Sequence, residues 1–281
     1  PTRYPSAFVD NLLGWEKTDQ YNVGMDLSFL RNRITLSANY YNSISNDLLF
    51  NKPVSAIAGA TQYKSNLSNA KIRNTGFDIQ VDGRILTGVV NWNIGANLSL
   101  NRNKVLSLPD SQSIVSIGER SAISHITMVG KPIGSFYGLN SLGVISEEEY
   151  QRILVDKQHI GEEGYQLTGP AVWNYENVQP GDAKWKDVNN DGKITDDDRE
   201  ILGDNYPDFT YGFSTNISYK GLSLSASFSG VQGAQVISFQ NYYLLNMEGT
   251  CNQFALAADR YNAVTNPNPA MYRANIATTN K

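Results

Sequence analysis

One stretch of the chain alternates apolar and small polar residues strictly, and it decides the fold. It reads Phe209-Thr210-Tyr211-Gly212-Phe213-Ser214-Thr215-Asn216-Ile217-Ser218-Tyr219, then Lys220-Gly221, then Leu222-Ser223-Leu224-Ser225-Ala226-Ser227-Phe228-Ser229. Successive side chains of a strand point to opposite sides, so this period of two predicts strands with one apolar and one polar face. The short break with a glycine predicts a tight hairpin. Two antiparallel strands are therefore expected, at about 208–219 and 222–232.

The same alternation occurs in two further pairs upstream. It predicts strands at about 19–30 and 34–44, and at about 74–85 and 90–101, each pair joined by a short break. Helix signals are scarce, and short helices are expected only near 146–152 and 252–261. The chain is thus predicted to be all-β, with antiparallel strands.

The polar faces of these strands consist of small side chains that carry almost no charge. This composition helps to decide whether the apolar faces meet a protein core or lipid. They include Asn91, Asn93, Asn97, Ser223 and Ser225. A soluble sandwich normally carries Lys, Glu and Arg on its wet face, yet charged residues make up only 18% of the chain, below the roughly 25% of soluble domains. A transmembrane barrel with lipid outside explains such a wall better, and the soluble sandwich remains the alternative.

The length of the predicted strands agrees with a membrane barrel. Residues 209–219 span about 33 Å at roughly 3.3 Å per residue. A tilt of about 40° reduces this to about 25 Å, the height of the apolar band of outer-membrane barrels.

The connections differ in length, and this predicts an orientation. The breaks at 31–33, 86–89 and 220–221 are short, whereas 45–72 and 103–207 are long. Outer-membrane barrels keep short turns in the periplasm and long loops outside. The extracellular excursion 103–207 must then contain an even number of crossings, either none or two, and 132–138 is a candidate strand of such a pair.

Composition excludes several other classes. The net charge is −4, which disfavours nucleic-acid binding. A single cysteine cannot form an internal disulfide, no stretch approaches the roughly 18 apolar residues of a transmembrane helix, and no signal peptide opens the chain. Six to eight strands with such loops do not make a typical small barrel, and open edges in a bilayer leave backbone groups unpaired. Further polypeptide is therefore expected to complete the sheet.

One segment has the spacing of a cation-binding loop. It is Asp187-Val188-Asn189-Asn190-Asp191-Gly192-Lys193-Ile194-Thr195-Asp196-Asp197-Asp198. Oxygen-bearing side chains at positions 1, 3, 5 and 12 and a glycine at 6 match a calcium loop. The predicted ligands are Asp187, Asn189, Asp191, the Lys193 carbonyl, Thr195 directly or through water, and Asp198. Calcium fits this oxygen set better than Mg²⁺, and a surface turn without an ion is the alternative.

Catalytic constellations are not visible in the sequence. His125 and His159 lie in predicted loops without evident triad partners, so no enzyme activity is expected. Trp173 and Tyr175 are candidate sugar-stacking residues in the long loop, although loop aromatics as often pack the loop itself.

Several motifs, in order along most of the chain, resemble those of SusC-like TonB-dependent transporters. They are Leu13-Gly14-Trp15-Glu16-Lys17-Thr18-Asp19-Gln20-Tyr21-Asn22-Val23-Gly24, Tyr40-Tyr41-Asn42, Ile72-Arg73-Asn74-Thr75-Gly76-Phe77, Asn101-Arg102-Asn103-Lys104-Val105, Gly130-Lys131-Pro132-Ile133-Gly134-Ser135-Phe136-Tyr137-Gly138, Pro180-Gly181-Asp182, and Gly203-Asp204-Asn205-Tyr206-Pro207-Asp208-Phe209. Thr75 departs mildly from the family's usual Lys.

The resemblance implies the C-terminal barrel portion, truncated at both ends, of a 22-stranded outer-membrane barrel from Bacteroidota. It further implies a SusD-like surface lipoprotein as a lid, TonB acting through an absent N-terminal part, and a plug and remaining strands on the same or another chain. The expected function is uptake of oligosaccharides or peptides. The alternative is a soluble β-rich carbohydrate-binding module with a dockerin-like calcium loop.

Overall fold

The computed structural model describes residues 7–53, 55, 57, 59–60, 62–109, 113–117, 123–245, 247, 252–267, 269 and 271–274. The strands are β1 (Ala7–Val9), β2 (Lys17–Phe29), β3 (Ile34–Asn46), β4 (Leu49–Pro53), β5 (Gln62–Asn66), β6 (Lys71–Leu86), β7 (Val90–Ser107), β8 (Ile114–Ile117), β9 (Ile123–Thr127), β10 (Ser135–Gly138), β11 (Ser141–Val144), β12 (Ala183–Trp185), β13 (Glu200–Gly203), β14 (Phe209–Tyr219) and β15 (Leu222–Gln232). The helices are α1 (Glu147–Gln158) and α2 (Phe239–Leu244), with 3₁₀ helices at Asp196–Asp198 and Ala255–Asp259.

The chain divides into two compact units, whereas the sequence predicts one partial barrel domain over 1–281. We call the first the wall unit; it comprises Pro1–Ser116, Ile126–Ser135 and Gly203–Val236. The second, the loop unit, comprises Ile117–His125, Phe136–Leu202 and Ile237–Lys281. Most of the long connection between β7 and β14 therefore belongs to the loop unit, together with the residues that follow β15.

The wall unit is built on a six-stranded sheet with the order β15-β14-β7-β6-β3-β2. All of its neighbouring strands are antiparallel, and the six strands predicted from alternation are these six. Because β7 pairs directly with β14, none of the described residues between them adds a strand to this sheet. Of the two possibilities for 103–207, no crossing is the one observed.

The smaller sheets use short strands. They have the orders β1-β5-β4, β13-β10-β9-β8 and β11-β12. The candidate strand at 132–138 is therefore the four-residue β10 of a small sheet, not a crossing of the wall.

The wall strands extend further toward the long loops than alternation predicts. Strand β6 begins at Lys71 and β7 continues to Ser107, pairing over their whole length. Charged residues such as Arg73 and Lys104 interrupt the apolar pattern here, but backbone hydrogen bonds do not depend on side-chain polarity. Alternation therefore marks the part of the strand beside lipid, and pairing continues beyond it.

The register assembles continuous apolar rows across one face of the sheet. One row consists of Leu27, Leu36, Val81, Ala96, Phe213 and Phe228. Between the rows through Val23 and Val90, this outward face carries no Asp, Glu, Lys or Arg in the sheet that the structure describes. Its side chains are exposed, with Val23 at 71% and Leu224 at 68%. Such a face matches the lipid-facing band of a membrane barrel.

The opposite, inward face is polar. The row next to the one above consists of Asp26, Ser37, Gln80, Asn97, Gly212 and Ser229. Its carboxylates accept hydrogen bonds from neutral neighbours, as Asp26 does from Ser37 Oγ at 2.6 Å. On the same face Tyr41 lies across Gly76, where a Cβ atom would collide with its ring, and donates to Asn101 Oδ1 at 3.1 Å. The inward face is thus a wetted or packed surface.

The stagger of the three short turns indicates a tilted sheet. Ile34, the first residue after the first turn, lies in the same row as Thr215 of β14. The third turn begins after Tyr219, which is four residues further along β14. Four residues correspond to about 13 Å along the strand, and the two hairpins lie about 19 Å apart across it. A line through the turns then makes about 35° with the perpendicular to the strands, within the tilt of outer-membrane barrels. All three turns therefore lie at one membrane depth.

The helices are minor elements. Helix α1 confirms the helix predicted at 146–152, and the one expected at 252–261 is a five-residue 3₁₀ helix. Among the described residues, no helix has the length and apolar character needed to span a bilayer.

We predict that an arginine on the outward face destabilises the wall. Ala226 lies on this face in row with Thr215. In the full-length protein folded into phospholipid vesicles, Ala226→Arg should lower the free energy of unfolding in urea by about 2–4 kcal/mol, because it places a charge in hydrocarbon.

Ser227→Arg is the matched control, since Ser227 is the next residue on the same strand and faces inward. It should change the free energy of unfolding by less than about 1 kcal/mol. Equal effects of the two substitutions would contradict the assignment of the faces.

Candidate functional site

The loop unit has its own apolar core, on which its candidate site is built. Ile145, Ile153, Val172 and Val178 form this core, and Tyr150 and Tyr175 pack against it. Helix α1 supplies Ile153. It begins after Ser146, whose hydroxyl accepts from Glu149 N–H at 3.2 Å while Glu149 Oε2 accepts from Ser146 N–H at 3.0 Å. This capping box fixes the start of the helix and so the position of its buried face.

The predicted cation loop, 187–198, is folded around its first carboxylate. Asp187 accepts from the N–H of Asn190 at 2.7 Å and from that of Gly192 at 2.9 Å. Gly192 has φ of +81°, and a Cβ there would collide with Leu167. Glycine is thus favoured at this turn by the backbone conformation, and a Cβ there would displace the Leu167 side chain.

Asp198 closes the same loop from its other end. Its side chain has no exposed surface and accepts from Val188 N–H at 2.9 Å and Thr195 N–H at 2.7 Å. Burial by itself raises the pKa of this carboxyl, but hydrogen bonds from the N–H groups of Thr195, Val188 and Asn189 outweigh it, so the pKa lies below its usual value. Asp198 is therefore ionised at neutral pH and holds the two ends of the loop together.

The oxygens of the loop are chemically suited to a hard cation. Asp187, Asp191 and Asp198 accept N–H groups, and each carboxylate oxygen has a second lone pair for further bonding. Asn189 and Asp191 are exposed and linked by a hydrogen bond of 3.0 Å. In the part of the chain that the structure describes, no three His, Cys, Asp or Glu side chains are grouped as metal ligands. The set predicted from the sequence therefore depends on amide, carbonyl and hydroxyl oxygens as well.

The two predicted stacking residues lie directly beside this loop. Lys193 pairs with Val172, and Ile194 N–H donates to Val172 O at 3.2 Å. Tyr175 is half-buried against the core, and its hydroxyl donates to Gly192 O at 2.9 Å. Trp173, by contrast, is 53% exposed. The structure thus gives Tyr175 a packing role and leaves Trp173 on the surface.

A buried ion pair that the sequence did not reveal joins two segments of the loop unit that are distant in the sequence. Asp182 is 2% exposed. Its two carboxylate oxygens accept hydrogen bonds from the Arg273 guanidinium, Oδ1 from Nε at 2.5 Å and Oδ2 from Nη2 at 3.3 Å. Arg273 N–H also donates to Gly181 O at 2.8 Å. Gly181 has φ of +85°, and the ring of Tyr261 occupies the space where a Cβ would lie. The Pro180-Gly181-Asp182 motif is therefore a docking point for residues 261–273.

A second buried carboxylate was also missed. Asp156, at 1% exposure, accepts from Tyr165 Oη, Thr168 N–H and Oγ1, and Gly169 N–H at 2.7–3.0 Å. Burial by itself raises the pKa of Asp156. Hydrogen bonds from the N–H groups of Gly169 and Thr168 lower it by more, so the pKa lies below its ordinary value. Its partners lie in an irregular loop, for which no sequence pattern exists.

Comparison with known proteins gives consistent matches. The family model described as TonB dependent receptor-like, beta-barrel, matches residues 2–118. TonB-dependent receptors P3 and P26 of Formosa agariphila are 29% and 31% identical over 91% and 89% of this chain. TonB-dependent receptor SusC of Bacteroides thetaiotaomicron is 26% identical over 80% of it. Among solved structures, the RagAB peptide transporter superposes with a TM-score of 0.70 over 95% of the chain at 21% identity.

The chain is homologous to the barrel portion of the TonB-dependent receptors. Its homologues are of the SusC and RagA type, and it corresponds to part of their barrel portion. The family resides in the outer membrane and is not a family of enzymes, so the predicted localisation and the absence of enzyme activity are confirmed. The chain spans about a quarter of the length of these relatives, with 24% of receptor P3, 20% of SusC and 26% of the RagAB chain covered.

We predict that the ion pair of Asp182 and Arg273 orders this part of the receptor. In the full-length receptor, Arg273→Ala should leave the buried Asp182 carboxylate without its guanidinium partner and lower the local free energy of opening by about 3–5 kcal/mol. Hydrogen exchange of residues 179–186 measures this as faster exchange.

Arg199→Ala is the matched control, because Arg199 pairs at 2.9 Å with the exposed Asp196 of its own turn. Its effect should stay below about 1 kcal/mol. If exchange of 179–186 were the same in both variants, the docking role of Arg273 would be wrong.

Proposed function

We propose that the chain forms wall and outer loops of a TonB-dependent importer that takes up oligosaccharides or peptides across the outer membrane. The observation that carries the proposal is the register of the six-stranded sheet, with an uncharged outward face and a polar inward face. A wall of this kind separates lipid from a polar passage. The homology agrees with this role.

The proposal includes the rest of the assembly. The described sheet has two edge strands, β2 and β15, and unpaired edges in hydrocarbon cost several kcal/mol per backbone group. Further strands therefore complete the barrel, for which the SusC resemblance implies 22 in all, together with a plug and a TonB-contacting segment. The soluble carbohydrate-binding module is no longer a competing function, because the family is an outer-membrane family.

A SusD-like surface lipoprotein is the proposed partner. The loop unit is inserted between β7 and β14 and continues after β15, so it lies at the long-loop ends of these strands in the sequence. Long loops of outer-membrane barrels face outward, where a surface lipoprotein has access. The structural match to the RagAB transporter supports a two-protein arrangement.

Trp173 is the proposed contact of cargo or lid in the loop unit. Its indole is exposed, and its backbone is fixed by the neighbouring pairing of Val172 with Lys193. An exposed ring on an ordered segment loses little entropy on binding and stacks on either a sugar or a peptide side chain. Tyr175 packs against the core two residues further on and bonds Gly192 of the adjoining loop.

We predict that Trp173→Ala weakens cargo binding. The full-length receptor, purified with its lipoprotein partner, is titrated calorimetrically with an oligosaccharide mixture and, separately, a peptide mixture. One of the two classes should bind, and Trp173→Ala should raise its Kd about three- to tenfold through the lost stacking.

Trp173→Phe should retain most of the affinity, and Leu142→Ala, which removes a similarly exposed apolar side chain, should leave it unchanged. Unchanged affinity in Trp173→Ala would eliminate this contact. Failure of both cargo classes to bind, with no TonB-dependent uptake in cells, would contradict the importer function itself.

Calcium in the 187–198 loop is the second part of the proposal. Asp187, Asn189, Asp191, the Lys193 carbonyl, Thr195 and Asp198 would supply the oxygens, with a Kd on the order of 10⁻⁴ to 10⁻³ M suited to an extracellular module. Mg²⁺ fits less well, because it requires octahedral geometry and retains water. The ion would hold the loop that positions Trp173.

We predict that calcium protects this loop from protease. In the full-length receptor, millimolar calcium should slow cleavage within 187–198 and a chelator should reverse the effect, because an ion bound by oxygens from both ends of the loop would hold those ends together. Asp187→Ala with Asp191→Ala should abolish the difference.

The control variant is Asp196→Ala with Asp197→Ala, which removes two carboxylates of the same segment that lie outside the predicted ligand positions. It should keep the response to calcium. Equal protection of the native loop with and without chelator would show that no ion orders it.

A further inference from the structure

The three short turns of the wall unit carry positive charge, and one carboxylate beside them, Asp82, lines a shared pocket with Arg33 and Arg84. Arg31 and Arg33 lie between β2 and β3, Arg84 lies near the end of β6, and Lys220 lies between β14 and β15. All four are exposed, and we call them the short-turn cations. The segments 29–34, 83–91 and 218–223, which the structure describes completely, contain no Asp or Glu.

The other end of the same strands has a different charge pattern. There acidic and basic side chains mix and pair, as Lys17 does with Asp47 at 3.3 Å and Arg102 with Asp208 at 3.1 Å. Within the described part of the chain, the short-turn cations form no such ion pair. Their charge is therefore available to a partner outside the chain.

These cations lie where the lipid-facing band ends. Aromatic residues mark that end, namely Phe29 in the first hairpin and Tyr219 in the third, and Lys220 Nζ lies 5.3 Å from the Tyr219 ring centroid. The stagger of the strands places the three turns at one membrane depth. Aromatic rings followed by cations are the arrangement expected at headgroup level.

The first turn holds a strained backbone. Leu30, Arg31 and Asn32 have φ of 50°, 56° and 62°, a left-handed conformation that glycine adopts without cost and Leu or Arg does not. Leu30 is 69% exposed beside Arg31. An exposed apolar side chain therefore stands next to an exposed cation in this turn.

Arg33 connects the first turn to the second. Its guanidinium donates to Arg84 O at 3.2 Å and to Ile85 O at 2.5 Å. Arginine has five N–H donors, so others stay available after these two bonds. The first and second turns are thereby joined, and we call the three short turns with their cations the cationic rim.

We propose that this rim binds the anionic phosphate headgroups of glycerophospholipids. Short turns of outer-membrane barrels face the periplasm, so the lipids are those of the periplasmic leaflet. The cations attract phosphates, while Leu30, Phe29 and Tyr219 contact the adjoining chains. The contact holds the wall at a fixed depth and does not depend on cargo, lid or calcium.

Photo-crosslinking tests this in the full-length receptor, reconstituted in phosphatidylcholine vesicles with a minor fraction of phosphatidylglycerol. Trace lipids carry a photoactivatable group in the headgroup. Peptides spanning 29–34 and 218–223 should crosslink to the phosphatidylglycerol probe about three times more than to the phosphatidylcholine probe. High salt should reduce this ratio, because it screens the attraction.

Arg31→Gln with Lys220→Gln should lower the ratio in both peptides. Lys17→Gln with Lys104→Gln removes two cations from the opposite rim and should leave it unchanged. A ratio near one in the native receptor would overturn the proposal, and this result does not depend on whether the first variant folds. An unchanged ratio in a first variant that does fold would also overturn it. Competition by soluble glycerol phosphate at equal concentration would indicate a soluble anion and would overturn the lipid assignment.

Discussion

The wall unit depends on one constraint, which is that backbone N–H and C=O groups beside hydrocarbon find partners only within the sheet. Lipid offers no hydrogen bonds, and each unsatisfied group costs several kcal/mol. The ladders from β2 to β15 meet this requirement with regular antiparallel pairing through the apolar band. Pairing of this regularity forces the side chains to alternate, and so one face can be wholly uncharged.

The same constraint decides where charge is allowed. In the sheet, carboxylates such as Asp26 are confined to the inward face, and ion pairs occur only toward the long loops. The loop unit has no such restriction and packs around a conventional apolar core. There the buried carboxylates Asp156, Asp182 and Asp198 each accept several hydrogen bonds or a guanidinium. Buried charge is tolerated in these irregular loops because each carboxylate accepts several hydrogen bonds or pairs with a guanidinium.

The loop unit connects its candidate sites through short backbone contacts. Lys193 and Ile194 of the 187–198 loop pair with Val172, and the next residue is the exposed Trp173. Tyr175 bonds Gly192 from the core side. Order in the loop is therefore transmitted to the surface ring through two or three residues. A cation in this loop and a contact at Trp173 would act as one structural element.

The sequence by itself determined the six wall strands, their apolar face and the contiguous oxygen spacing of 187–198, because these are local patterns of two or a few residues. It also limited 103–207 to no crossing or two, but only the pairing of β7 with β14 decided for none. Two contacts have no local signature in the sequence. They are the ion pair of Asp182 with Arg273, 91 residues apart, and the packing of Tyr261 on Gly181. The stagger that aligns Arg31 with Lys220 likewise follows from cumulative register across four strands. Such contacts are decided by tertiary structure, since their energy depends on which distant groups the folded chain brings together.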